Sequence, residues 1–486
     1  MSIRLAALLA LAAVVAPPFA RAQNPIPIPT PVPTPAATLS PLPYPAYGTP
    51  APDVQLLVPH TGVPPRVSLS QAIDIAVAVS PTFASQRAVY SELRARYSAE
   101  QQALFPAISA NGSWEKSFAG GSSRCNPSIP TTCTTSTQIT TVESAGYTVS
   151  QLIFDGGRVI SAIRAAKESD IAGRGTLLRE LDTLGYDVAQ SYYTVLQDKA
   201  LIDADRQLVH EFETSENAVR AQIRNGVSAL SALAQAEYQT AKARGALVQA
   251  QGAEITAQGQ FATLLGLDAN TEIVPEALGA DTYTATPTYA KSLQQALLLR
   301  PDYQSAQHTV IADRDNLRYA ELARVPTITG SWNDSTARQF PALPPPYGNN
   351  GHWQPARSLG ATITFPIYDQ GLTWYNTEVA KYTLDEANAA LALAKLTVES
   401  DVRSALAQLF SARANLVQAH SELSSAQVSM QAAQASYRVG VGTILDLVTA
   451  EANLATAQSD YITALYGVRT AEQNYLYATG LSDLRL

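Results

Sequence analysis

Polar and apolar residues alternate in four segments of the chain, and that period of two predicts strands. In 108–118, Ile108, Ala110, Trp114 and Phe118 share one face, opposite Ser109, Asn111, Ser113, Glu115 and Ser117. Ala145, Tyr147 and Val149 oppose Ser144, Thr148 and Ser150, and Ile328 and Trp332 oppose Thr329 and Ser331. Leu359, Ala361, Ile363, Phe365 and Ile367 oppose Ser358, Gly360, Thr362 and Thr364. Each segment runs about ten residues, the length a tilted strand needs to cross a bilayer, although a half-buried soluble sheet alternates in the same way. Elsewhere the period lengthens. Ile444, Leu447, Val448, Leu454, Ala455, Tyr461, Ile462 and Leu465 recur at three- and four-residue steps, which marks one apolar face of a helix.

Proline placement extends this map. None occurs between Pro130 and Pro275 or after Pro366, and both stretches are rich in Ala, Leu, Gln and Glu, as helices require. Two units of four parts result. Each has an opening helix (69–104 and 293–323), a strand pair around a polar loop, a long helix (159–223 and 372–437) and a return helix (229–265 and 443–478). A helix of ~65 residues is about 100 Å long at ~1.5 Å per residue. An opening helix stacked on a return helix comes close to that length, so four rods of similar height run side by side. The long helix hands over to the return helix at a glycine turn, where Gly226 and Gly440 supply positive φ and Thr443 is the expected N-cap.

The two units are copies. Gly440 stands 440 − 226 = 214 residues after Gly226, and the same offset carries Asp155 onto Asp369 and Gly157 onto Gly371. It also carries Ala166-Lys167 onto Ala380-Lys381, Ala236-Glu237 onto Ala450-Glu451, and Gly266-Leu267 onto Gly480-Leu481. This is an internal duplication. The expected boundaries are a secretory leader at 1–22, a proline-rich tether at 23–66, a first repeat at 67–270, a linker at 271–290 and a second repeat at 291–486.

Composition narrows the setting. Arg4, the apolar run 5–16 and Ala20-Arg21-Ala22 have the form of a cleaved secretory leader. Its removal takes the formal charge from −8 to −8 − 2 = −10, which argues against nucleic acid as a partner. After it there is no run of eighteen apolar residues, so contact with a membrane would require a closed barrel. Ile-Pro-Ile-Pro-Thr-Pro-Val-Pro-Thr-Pro near the start reads as an extended spacer. The only cysteines, Cys125 and Cys133, sit in one Gly/Ser/Pro/Thr-rich loop and read as a disulfide outside the cytoplasm, with free thiols or a metal pair as the alternative. The five histidines are scattered, there is no phosphate loop and no nucleophile elbow, so the chain reads as no enzyme, with no cofactor and no metal.

Four strands cannot close a barrel alone, since small membrane barrels start near eight. Three chains would supply twelve strands and twelve rods, and two chains eight strands. Several motifs then carry a resemblance. The paired glycine turns, Ala236-Glu237 and Ala450-Glu451, Leu265-Gly266, Thr479-Gly480, Gln151-Leu-Ile-Phe-Asp-Gly-Gly157, and Arg300-Pro301-Asp302 after Leu293-Gln-Gln-Ala296 together resemble the TolC-like outer-membrane efflux proteins from about residue 67 onward. That resemblance implies an α+β homotrimer. A transmembrane β-barrel of four strands per chain, twelve in total, would sit in outer-membrane lipid and continue as a long periplasmic α-helical barrel built from the two tandem repeats. The duct would be passive, driven by an inner-membrane pump (RND or ABC type) through a periplasmic adaptor protein, for efflux or secretion from a Gram-negative-type bacterium. A periplasmic coiled-coil scaffold without a pore is the rival reading.

The resemblance also implies sites. Arg224, Asn225 and Gly226, with Arg438, Val439 and Gly440, would form the periplasmic tip where adaptor hairpins dock. Tyr437 and Asp446 would line the aperture, three acids in a ring favouring cations. Some members place an arginine where this chain has Gly442 and a second ring acid where it has Thr449, and Ala232 takes the place of Asp446 in the first repeat. From the residues alone, Asp446 reads equally as a solvated helix-face acid, Tyr437 as a packing residue, and the two arginines as cations at helix C-termini.

Overall fold

The computed structural model describes residues 66–125, 133–226, 229–277, 287–340 and 351–481, of which 119–125 and 133–138 are described by backbone alone. The expected leader and all but the last residue of the tether lie outside that range, as do the side chains of Cys125 and Cys133. The first repeat contains β1 (Arg66–Val67), α1 (Leu69–Val79), α2 (Pro81–Gln102), β2 (Ala107–Cys125), β3 (Cys133–Phe154), α3 (Arg158–Arg224) and α4 (Leu230–Leu264). After β4 (Val274–Pro275), the second contains α5 (Tyr289–Leu299), α6 (Pro301–Glu321), β5 (Thr327–Phe340), β6 (Gln354–Thr364), α7 (Leu372–Arg438) and α8 (Ile444–Thr479).

The long helices α3 and α7 each have 67 residues, about 100 Å of α-helix. They also begin and end at the expected offset, since 372 − 158 and 438 − 224 are both 214. Each opening helix differs from expectation. It is broken in two, at Ser80-Pro81 and at Arg300-Pro301, because proline removes a donor and pushes the preceding residue out of the α region. Proline is also well placed at the first position of a helix, so α2 and α6 start where α1 and α5 stop. α5 begins at Tyr289, four residues ahead of the expected 293.

Each return helix ends on the break in its own repeat. A Cβ at Gly266 would lie 3.0 Å from the Val79 carbonyl oxygen, and one at Gly480 would lie 3.2 Å from the Arg300 backbone nitrogen. Glycine allows this approach and also supplies the left-handed φ of 77° and 69° that turns the chain. α2 and α4 both pack along α3, while α6 and α8 each pack on both α7 and α3. The rods are therefore two continuous helices and two stacked pairs.

The largest buried cluster lies near the middle of α3, where Val188, Tyr192 and Val195 meet Ala72 and Ala76 of α1 and Phe261 of α4. Tyr192 donates to the carbonyls of Val67 (3.2 Å) and Glu276 (2.9 Å), tying the short parallel pair β1–β4 to α3. A second cluster joins Val398, Val402, Leu406 and Leu409 of α7 to Ala296 and Tyr475. On α8, only Leu447 and Val448 of the expected apolar face are buried; Leu454, Tyr461, Ile462 and Leu465 stay partly exposed.

The four long strands form one antiparallel sheet in the order β2-β3-β5-β6. β2 and β3 have 19 and 22 residues, about twice the expected length, and β5 and β6 have 14 and 11. The β2–β3 ladder continues to Cys125 opposite Cys133, beyond the segment where alternation is visible. β6 stops at Thr364, so Phe365 and Ile367 lie outside it. β2 and β6 are the two edges of the sheet.

Candidate functional site

Sheet and rods are joined by two equivalent turns. Asp155 accepts from the backbone N–H of Gly157 (2.9 Å) and Val159 (2.6 Å). Asp369 accepts from Gly371 (3.1 Å) and Thr373 (2.7 Å), and also from the Thr373 hydroxyl. Each carboxylate thus fills donors that the first helical turn leaves free. This places the strands on the ends of α3 and α7 in the same way.

The two faces of the sheet differ in chemistry. One is lined by hydroxyls and amides that bond one another: Ser113 with Ser144 (2.8 Å), Thr148 to Asn333 (2.8 Å) and Asn333 to Ser358 (3.4 Å). The other exposes Ile108, Trp114 and Leu359, at 73%, 66% and 77% of their surface. That apolar face also carries two ion pairs that alternation had not suggested. Arg338 reaches Glu143 at 2.5 Å, and Arg357 reaches Asp334 at 3.0 Å, where Tyr147 also donates (3.2 Å).

The opposite ends of α3 and α7 carry the residues expected at the tip. Arg224 and Arg438 close the two helices, and Asn225 and Val439 are their C-caps. Gly226 and Gly440 follow with φ of 75° and 76°, and a Cβ at either would meet nothing within 4 Å. The two turns are brought together by Tyr437, whose hydroxyl donates to Gln222 Oε1 of α3 at 2.8 Å. Tyr437 is therefore a link between the two long helices.

Asp446 is engaged as well. Thr443 is the N-cap of α8, and its hydroxyl accepts from the Asp446 N–H (3.2 Å). The Asp446 carboxylate accepts from the Thr443 hydroxyl (2.7 Å) and N–H (3.1 Å), and these bonds hold its pKa below the usual carboxylate range. It remains exposed and ionised at neutral pH. The first repeat has no such cap. Ala229 stands at the N-cap of α4 and makes no side-chain bond. Gly442 packs on Ser436, where an added Cβ would lie 3.0 Å from the Ser436 Cβ, so a side chain there would require the turn to shift.

Other polar groups were not visible as sites in the sequence. Arg300, in the helix break, is 1% exposed and bonds Asp302 (2.6 Å) and Asp401 (2.8 Å). Burial would raise the Asp302 pKa, but Arg300 and then Arg179 outweigh it and hold the carboxyl below its ordinary value. Arg179 lies 3.7 Å from the Tyr477 ring centroid and donates to the Tyr477 carbonyl at 3.1 Å. Arg300-Pro301-Asp302 stands out as a motif in the sequence, but its partners Asp401 and Arg179 lie more than about a hundred residues away, so no local pattern announces the cluster. Among the described residues, no group of histidine, cysteine and acidic side chains could hold a metal ion. Among them also, no helix is long and apolar enough to cross a membrane.

Comparison with known proteins matches this architecture. The family described as "Outer membrane efflux protein" matches residues 72–267 and 292–481, one segment per repeat. The chain is 27% identical over 396 residues to the probable efflux pump outer membrane protein TtgC of Pseudomonas putida, covering 80% of this chain and 77% of that one. It is 25% identical over 347 residues to the outer membrane efflux protein BepC of Brucella suis, covering 71% and 74%. Among solved structures, the outer-membrane channel OprN superposes with a TM-score of 0.72 at 18% identity, covering 85% of this chain and 89% of that one. CusC superposes with a TM-score of 0.71 at 22% identity, covering 85% and 92%. With both repeats matched, the chain belongs to the outer membrane efflux protein family.

Proposed function

We propose that this chain is one third of an outer-membrane exit duct that conducts substrate passively from a periplasmic adaptor and an inner-membrane pump. The observation that carries this reading is the sheet with two free edges, β2 and β6, mounted on two long helices. An exposed edge leaves a row of backbone donors and acceptors unpaired, which is untenable in hydrocarbon. Pairing β6 of one chain with β2 of the next removes every edge, and three copies give twelve strands. The apolar face then meets lipid and the hydroxyl face lines the passage. The rods continue that passage into the periplasm and end at the Arg224–Gly226 and Arg438–Gly440 turns, which offer the adaptor its docking surface.

Tyr437 and Asp446 stand at the aperture of this duct. The Tyr437–Gln222 bond holds the two hairpins together, and three ionised Asp446 side chains favour cations. No chemical step is assigned to any side chain. Cysteines placed at Gly226 and Gly440 and cross-linked in the cell envelope test the docking surface. The expected product joins this chain to a periplasmic adaptor with its pump. Cross-links only to other outer-membrane proteins would contradict the assignment.

A further inference from the structure

The Ala-Glu motif recurs at one position in each return helix, yet its two carboxyls have different surroundings. Glu237 on α4 is 47% exposed and bonds Arg220 of α3 at 2.8 Å. The counterpart of Glu237 is Glu451 (451 − 214 = 237), and the counterpart of Arg220 is Gln434 of α7 (434 − 214 = 220). Glu451 thus has no arginine in its own hairpin at that place. It is instead 4% exposed, packed toward the other hairpin. Its Oε1 accepts from the Ser215 hydroxyl of α3 at 2.8 Å, and its Oε2 is buried without a hydrogen-bond partner.

The neighbours make a carboxylate costly there. One turn along from Ser215 and Glu451 lie Phe212 and Val448, which form an apolar cluster with Ala243 of α4. Of the charged groups near this seam, Glu211 of α3 repels a negative charge on Glu451. From α4, Glu237 and Arg244 are engaged with Arg220 and with Glu213 of α3 (2.7 Å). Burial, reinforced by Glu211 and only partly offset by Ser215, raises the Glu451 pKa from 4.5 to about 7. The seam it occupies joins α3/α4 to α7/α8 at the same end of the molecule as the Tyr437–Gln222 bond.

We propose that the Glu451–Ser215 contact is a proton-operated latch between the two hairpins, shut while Glu451 carries its proton and loosened when the carboxylate forms. Its meaning as a gate rests on the duct reading above, but the latch itself does not. The sign follows from linkage. A carboxyl with a raised pKa favours the packed state at low pH, and this advantage fades as pH rises from about 4.5 to about 7. If the opened seam returns Glu451 to an ordinary pKa of about 4.5, opening should become about tenfold easier between pH 6 and pH 8.

Hydrogen exchange of the purified full chain, corrected for the intrinsic pH dependence, reads this directly. Protection in the first three turns of α8 should fall about tenfold from pH 6 to pH 8. Glu451→Gln should remove that dependence, and Glu237→Gln, which alters the exposed counterpart, should keep it. A flat wild-type profile, or an unchanged one in Glu451→Gln, overturns the latch, and the wild-type profile alone decides if the variant fails to fold. Conductance in planar bilayers over the same pH range separates the two proposals. No conductance at any pH would count against the duct while the exchange result still judged the latch.

Discussion

Arg300 shows how one side chain can hold together elements far apart in sequence. Its guanidinium is buried in the α5–α6 break and reaches Asp401 of α7, while its backbone lies against Gly480 at the end of α8. Removing one member of a buried pair costs about 3–5 kcal/mol, but Asp302 and Asp401 are partly exposed and recover some hydration. Arg300→Met should therefore lower unfolding stability by about 2 kcal/mol, read from the denaturation midpoint of the purified protein. Because the Asp302 pKa is depressed, its share of stability is present at neutral pH and above the ordinary carboxylate range. That share is lost as pH falls through the depressed value. None of this was legible along the chain. Gly226, Gly440 and Thr443 were legible because turns and caps are written in neighbouring residues, whereas burial of Arg300 and Glu451 depends on other elements.

At the scale of elements, repeat two carries a cap that repeat one lacks. Thr443→Ala should cost about 1 kcal/mol and increase hydrogen exchange in the first turn of α8. Ala229→Ser should gain a similar amount at α4, because Ala229 already has the extended backbone of an N-cap. Equal exchange in Thr443→Ala and wild type would contradict the capping account. The long helices could be placed to within a residue or two, since a stretch without proline leaves little else for an alanine- and glutamine-rich sequence to form. Pro81 and Pro301 do not by themselves mark a break in the opening helices, because a proline that begins one helix resembles a kink in a longer one. The strands extend past their alternating segments because backbone pairing with a neighbour continues where side-chain pattern lapses.

At the scale of the whole molecule, both ends of the rods matter. The turns at Gly226 and Gly440 face open space, so substitution there meets backbone strain and no clash in the single chain. Gly440→Trp should cost about 1 kcal/mol of local stability, leave the protein in the outer membrane and reduce export, measured as intracellular accumulation of a pump substrate. Unchanged export would count against the tip as the docking surface. The sheet at the other end has an apolar face and two edges that one chain cannot cover. The central claim is that sister chains cover them around a shared passage. The most direct measurement is the mass of the detergent-extracted protein by native mass spectrometry. Three copies per particle, released from membranes by detergent and not by carbonate, is the predicted result, and a single water-soluble chain would contradict it.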